Sequence, residues 1–267
     1  MLSEALNRVR ILLSRRYLRF FYDRIYYSGW ISGDRNFFNA GIVPVDDEVR
    51  RLGFVQGEED QAQTYYEAVK AYRRWRPGAE PQRILELGVG LGGGIPVVRA
   101  FFPRSEYFGL DLSTASVRRS SRHARSTLVV ANCLRAPFRD RAFDLIVWVE
   151  ASQALELPGL LEEPRRLLAP GGLMVIVDFR KMGSDALHAL VHDSARRVGL
   201  ALLEYANITS RLLEARSASP ERNRRLERRI GFPLRSVVRE MTVADGSERY
   251  AEYKSGKRTY FISVFAN

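Results

Sequence analysis

The chain has 267 residues, 46% of them hydrophobic and 27% charged, which suits one α/β domain with an accessory segment. No apolar run approaches the roughly 20 residues of a membrane span. The single cysteine, Cys133, excludes an internal disulfide and fits a reducing, cytoplasmic setting. The net charge of +11 is carried mostly by arginine, since Lys70, Lys181, Lys254 and Lys257 are the lysines among 42 basic residues. Acidic residues are interleaved with them, Glu221 and Glu227 even in the dense stretch 221–229, so the charge reads as a solvated surface and nucleic acid is not the expected partner.

In chain order, the first segment has Leu6, Val9, Leu13, Tyr17, Phe20 and Phe21 at helical spacing over 3–29. Arginines interrupt its apolar stretches, so it reads as a retained helix and not as a secretory leader. Gly29, Gly33, Asn39 and Gly41 break the pattern, and a second helix is predicted over 58–76. Pro77-Gly78 and Pro81 mark the expected boundary between an N-terminal helical lid segment, 1–77, and the main domain, 78–267.

From residue 83 strands and helices alternate. Strands are predicted at 83–87, 106–110, 127–130, 143–149, 173–178 and 200–205, with helices at 95–102, 114–123, 160–168 and 184–198. That order implies a Rossmann-like parallel sheet with helices on both faces. Residues 208–256 read as a polar helical cap, and 258–265 alternates like a final strand.

Gly88, Gly90 and Gly92 follow a strand and precede a helix, where the backbone must turn tightly and approach a ligand closely. Nineteen residues after Gly92, Asp111 ends the next strand, where a carboxylate can accept from two ribose hydroxyls. These glycines fit a dinucleotide site as well as other nucleoside cofactors. The surrounding motifs separate the options. Glu86-Leu-Gly-Val-Gly-Leu-Gly92, Asp111, the segment Ala131-Asn-Cys-Leu-Arg-Ala-Pro-Phe-Arg-Asp-Arg-Ala-Phe-Asp144 and the segment Glu163-Pro-Arg-Arg-Leu-Leu-Ala-Pro-Gly-Gly172 occur in order. In this set the chain resembles the class I S-adenosylmethionine (SAM)-dependent methyltransferases. The resemblance implies a seven-stranded, mostly parallel sheet with its last strand antiparallel. It also implies SAM as cofactor, with Glu86, Gly88, Gly90, Gly92, Asp111, Leu112, Asn132, Cys133 and Glu150 around it.

Phe37-Phe-Asn-Ala-Gly41, Val149-Glu-Ala-Ser-Gln153 and the tail from Gly246 to Tyr260 are similar to a branch acting on lipids and polyketides, the phthiotriolone type. That resemblance implies a lipophilic small-molecule acceptor, secondary metabolism and O-methylation. One position departs: Gln153 stands where that branch has histidine, and an amide cannot take a proton. Glu150 and Asp178 are then the candidate bases beside Gln153. Methylation of a prenyl double bond through a carbocation needs no base before attack and is the alternative; an RNA methyltransferase or a non-catalytic SAM-binding relative are further ones. Tyr22, Tyr26, Trp30, Phe37 and Phe38 are the candidate acceptor-binding aromatics. His188 and His192 lie four apart on one helix but read as a helix surface, and no metal is expected. The apolar-faced N-terminal helix could join two copies of the chain.

Overall fold

A computed structural model describes residues 36–54, 58–123, 125–152, 159–218, 239–240 and 242–267. The N-terminal helix predicted over 3–29, with Tyr22, Tyr26 and Trp30 and its expected role in assembly, lies outside these residues, as does Gln153.

The described chain opens with a segment, 36–46, that leads into a short helix α1 (Asp47–Arg50) and the long α2 (Glu59–Trp75). The alternating part follows as β1 (Arg83–Leu87), α3 (Gly94–Phe101), β2 (Glu106–Asp111), α4 (Thr114–Ser120), β3 (Ser126–Val130) and β4 (Phe143–Val149). A 3-10 turn (Gly159–Leu161) then precedes α5 (Glu162–Leu167), β5 (Leu168–Arg180), α6 (Ser184–Val198) and β6 (Ala201–Asn207). The chain finishes with α7 (Thr209–Ala218), α8 (Glu248–Lys254) and β7 (Thr259–Ala266).

The strands form one sheet in the order β3-β2-β1-β4-β5-β7-β6. The pairs from β3 to β5 are parallel, whereas β7 runs antiparallel to both β5 and β6. This is the expected Rossmann-like methyltransferase sheet. Its direction of winding reverses between β1 and β4, and in such sheets ligands bind outside the carboxyl ends of the strands at that point.

Side chains on β1, β4 and β5 alternate between two apolar layers. Ile84, Leu145, Val147, Val175 and Val177 pack with α2, α3 and residues Phe37 to Ile42. Leu85, Leu87, Ile146, Trp148, Met174 and Ile176 pack on the other face with Leu160, Leu167, Leu187 and Val191. Burial on both faces explains the unbroken apolar run of β4. Helix α2 thus shares its core with the strands, with Ala62, Tyr66, Val69 and Tyr72 all buried in it.

The largest departure from the sequence reading is β5. Pro170-Gly171-Gly172 was expected to close a helix before a strand at 173; instead Leu168 already pairs with Phe143. The chain bulges through 169–172 and resumes at Leu173 opposite Leu145, with Gly171 N–H donating to the Asn267 carbonyl at 3.1 Å. The helices expected over 114–123 and 160–168 are shorter, because Ser121 caps α4 and a 3-10 turn replaces the first turn before α5. Within the predicted cap, α7 and α8 are helical; 219–238 lies outside the described residues.

The Glu163–Arg166 pair fastens the β3–β4 connection. Glu163 accepts from Ala136 N–H at 2.8 Å, and Arg166 donates to Glu163 (2.9 Å), Asp140 (2.6 Å) and the carbonyls of Phe138 (2.8 Å) and Ala136 (3.1 Å). The partnership with Arg166 holds the Glu163 carboxyl below its ordinary range. We expect Arg166→Ala to lower stability by about 2 kcal/mol, discounted because the side chain is partly exposed, as read from urea midpoints. A variant with the wild-type midpoint would show that the clamp contributes nothing.

Candidate active site

The turn after β1 is built by backbone geometry. Gly88 has φ +81°, and a Cβ there would lie 2.5 Å from the Ala151 Cβ, so the loops after β1 and β4 meet where only glycine fits. Gly88 and Val89 N–H both donate to the Leu110 carbonyl, at 2.8 and 3.1 Å. Asp111 closes the next turn: Gly90 N–H donates to one carboxylate oxygen at 3.0 Å and Ser113 N–H to the other at 2.9 Å. Ser116 and Ser120 hydroxyls donate to the Gly90 carbonyl at 2.6 and 3.1 Å. The partly exposed Asp111 is therefore fixed beside the glycine loop, with Leu112 next to it at 49% exposure. Asn132 is exposed after β3, its amide oxygen accepting from Leu134 N–H at 3.0 Å, and Cys133 is half-buried beside it.

Glu86 differs from these. It is fully buried, takes the Tyr107 hydroxyl at 2.7 Å, and has Tyr65 of α2 beside it. Burial pushes its carboxyl up to about 8, against the lowering effect of the two tyrosines.

At the end of β4, Glu150 has φ +46°, a conformation uncommon for a side chain with a Cβ. Its Oε1 accepts from Ala40 N–H at 2.7 Å and from the Tyr260 hydroxyl of β7 at 2.6 Å. Burial raises its carboxyl to about 7; Tyr260 opposes that shift and nearby Asp178 adds to it. Asp178, at the end of β5, is fully buried, accepting from Ser152 N–H (2.8 Å), Ser152 hydroxyl (2.6 Å) and Phe179 N–H (2.8 Å). Arg180 spans the same turn, donating to the Ser152 carbonyl and hydroxyl at 3.0 Å each. Asp178 thus holds the loop that carries Glu150 to Ser152 through one oxygen, while the other accepts from Phe179 N–H.

The Phe37-Phe-Asn-Ala-Gly41 segment crosses between the two halves of the site. Asn39 and Gln61 exchange side-chain to carbonyl bonds at 3.0 and 2.7 Å. Gly41, at φ +83°, sits so close to α2 that a Cβ would be 2.8 Å from the Asp60 carbonyl carbon. Arg216 of α7, buried at 3% exposure, donates to the Ala40 carbonyl and lies 3.7 Å from Asp60. Phe37 is buried between Phe54 and Tyr65, at 5.5 and 6.0 Å between ring centroids, which places it in the core behind the glycine loop. Phe38 is half-buried.

The structure therefore brings Glu86, Gly88, Gly90, Gly92, Asp111, Leu112, Asn132, Cys133, Glu150 and Asp178 to the carboxyl ends of β1 to β5. The sequence reading did not single out Tyr107, Tyr260, Ser152 or Arg216. Ser152 and Tyr260 stand inside stretches already noted; the hydroxyls of Tyr107 and Tyr260 acquire their partners through strand pairing, which no local spacing reveals. His188 stacks on Tyr205 at 4.6 Å and His192 lies 3.6 Å from Asp193, both away from these strand ends. An open depression of about 430 Å³ lined by Glu80, Arg83, Arg104 and Glu106 lies at the opposite, amino-terminal edge of the sheet. No described helix is long and apolar enough to cross a membrane.

Residues 85–176 match the family model described as a methyltransferase domain. The phthiotriol/phenolphthiotriol dimycocerosates methyltransferase of Mycobacterium leprae is 29% identical over 191 residues, which is 69% of either chain. The fatty-acid O-methyltransferase of Mycolicibacterium smegmatis is 31% identical over 150 residues, 54% of this chain and 53% of that protein. Among solved structures, the geranyl diphosphate C-methyltransferase of Streptomyces coelicolor A3(2) aligns with TM-score 0.63 at 16% identity, over 94% of this chain and 96% of that one. At that identity the likeness is one of fold.

Glu86 gives a stability prediction with a definite sign. In the fold its carboxyl stays protonated up to about 8, against an ordinary value of 4.5, so the folded state holds an extra proton between the two. Stability from this group is complete below about pH 4.5 and is lost as pH rises through about 8. Glu86→Gln keeps an acceptor for Tyr107 and removes that loss. Its urea midpoint should gain on the wild type between about pH 4.5 and 8 and run level with that gain above; curves parallel throughout would overturn the assignment.

Proposed function

We infer that this chain, which carries a class I SAM-dependent methyltransferase domain and is an enzyme of that type, methylates a hydroxyl oxygen of a lipophilic natural product with Glu150 as the base. The observation that carries this reading is Glu150 itself. Its Oε1 is held by two donors, its backbone is in a strained conformation at the end of β4, and its Oε2 has no partner among the described residues. A carboxyl tuned to about 7 is half ionised at neutral pH, the condition for a useful general base. The relatives named for phthiotriol lipids and for fatty-acid O-methylation support a lipophilic acceptor and oxygen as the methylated atom.

The residues fit the cofactor by their chemistry. SAM supplies a methyl group on a positively charged sulfur. Asp111 presents a carboxylate fixed by two backbone N–H groups, suited to ribose hydroxyls, and Leu112 offers an exposed apolar face for the adenine. Asn132 and Cys133 follow at the next strand end. Glu86, with its Tyr107 partner, stands at the methionine side, where an ammonium group would favour its ionised form.

In the proposed reaction, Glu150 Oε2 receives the proton of the acceptor hydroxyl. The acceptor oxygen bonds to the methyl carbon as the sulfur–carbon bond breaks, so the electron pair ends on a neutral thioether. Ala40 N–H and Tyr260 fix the carboxylate so that its remaining oxygen keeps one orientation, and in-line placement supplies much of the rate. Asp178 acts as a positioning residue through Ser152. Phe37 supports the loop from behind, which leaves Phe38 and the N-terminal aromatics for the acceptor.

Two variants test this. Asp111→Asn removes the charge and leaves one oxygen to accept from the two backbone N–H groups; SAM affinity should fall at least about tenfold, and an unchanged Kd from calorimetry would remove the ribose assignment. Glu150→Gln can still accept from Ala40 and Tyr260. Its kcat should drop by roughly 10²–10⁴ while SAM binding holds. Wild-type kcat/KM should rise with pH and level off above about 7, a limb the variant lacks. Retention of that limb in the variant would assign the base elsewhere.

A further inference from the structure

Helix α8 is short, yet it is fastened firmly to the end of β5. Ser247 caps it, taking Tyr250 N–H at 3.1 Å. Glu252 accepts from Arg258 at 2.8 and 2.6 Å and pairs with Lys181, and Thr259 donates to the Met182 carbonyl at 2.8 Å. This bracing fixes the next residue, Tyr253. Its ring meets Phe179 edge-on at 6.5 Å and Tyr260 edge-on at 6.5 Å, and the Arg258 guanidinium lies over it at 5.8 Å. Phe179 follows Asp178, and Tyr260 holds Glu150. Tyr253 thus packs between Phe179 and the residue that holds Glu150.

The hydroxyl of Tyr253 breaks the pattern set by its neighbours. The residue is 3% exposed, and its hydroxyl has no hydrogen-bond partner among the described residues. Tyr107 and Tyr260, equally buried, both donate to carboxylates. A buried hydroxyl left unpaired forfeits the hydrogen bonds it made to water, so a fold that keeps one calls for an explanation. Phenylalanine would pack the same ring without that cost. Burial, and after it the nearby Glu150 and Asp178 carboxyls, holds the phenol in its protonated, donating form.

We propose that the Tyr253 hydroxyl is an acceptor-binding group, donating a hydrogen bond to the acceptor oxygen whose proton passes to Glu150. The inference rests on the hydroxyl-acceptor reading given above. One donor and one base then converge on the same oxygen from β7-linked elements on one side and β4 on the other. The phenol orients the oxygen lone pairs, and the carboxylate removes the proton. This pairing selects an alcohol or phenol over a prenyl double bond, which offers no lone pair to Tyr253 and no acidic proton to Glu150 before the methyl group is transferred.

Tyr253→Phe in the full chain separates a binding role from a structural one. If the hydroxyl serves the acceptor, the variant melts at the wild-type temperature or above it and binds SAM within twofold of wild type. It then binds 1-dodecanol, titrated in the presence of S-adenosylhomocysteine, about tenfold more weakly. A melting temperature several degrees lower shows that the fold uses the hydroxyl and overturns the proposal. Undiminished 1-dodecanol binding by the variant overturns it alone, with the hydroxyl-acceptor reading intact. If the wild type binds neither 1-dodecanol nor 4-nitrophenol, the hydroxyl-acceptor reading falls, and the role of Tyr253 falls with it.

Discussion

Three carboxyl groups at the strand ends, Glu86 and Asp178 fully buried and Glu150 half-buried, set the terms for the rest of this structure. Glu86, Glu150 and Asp178 end β1, β4 and β5, three neighbouring strands, and burial raises the proton affinity of each. An unpaired buried charge is expensive, so each carboxyl organises donors around itself. Glu86 draws Tyr107 from β2; Glu150 draws Ala40 from the N-terminal segment and Tyr260 from β7; Asp178 draws Ser152 and Phe179. The segment around Ala40, strands β2 and β7 and the loop after β4 are each tied to one of the three. The cost of dehydrating the carboxyls therefore also fixes where the loops lie.

Much of this was legible in the sequence because it follows from local chemistry. The short strand β1, buried from Ile84 to Leu87, and the apolar run of β4 follow from their sequences. Gly88 and Gly41 are readable as glycines because of sign and space: a positive φ and a neighbour within 2.8 Å of a Cβ. The Glu163–Arg166 spacing is likewise a helical one-turn pair, readable before its partners in 136–140 are known. What stayed hidden depends on register. Tyr260 reaches Glu150 because β7 pairs antiparallel with β5 at Phe179, which no spacing of 110 residues announces. The β5 bulge was misread for a related reason. Pro-Gly-Gly is a turn signal, and here strand pairing on both sides absorbs the turn into the sheet.

Charge also looks different once it is placed. Between Leu112 and Ala142 there are seven arginines and one acid, Asp140, so the interleaving that holds elsewhere fails in this stretch. The segment surrounds β3, an edge strand. Arg118, Arg122, Arg125, Arg135, Arg139 and Arg141 are exposed there, and none forms an ion pair among the described residues.

The substitution of glutamine at 153 acquires a physical meaning beside Glu150. An imidazole is a base near neutrality without help, because its ordinary proton affinity already lies there. A carboxyl begins more than two units lower and must be moved by its surroundings. In the proposed reaction, glutamine at 153 is matched by a carboxyl that burial has shifted, Glu150, at about 7. The same burial requires Oε1 to be held, which Ala40 and Tyr260 accomplish, and it requires the chain to turn through a positive φ at the strand end. A glutamate left exposed at this position would remain a weak base. In the proposed reaction the strain at Glu150 and the crossing of the 36–42 segment are thus consequences of using a carboxylate where an imidazole would have needed neither.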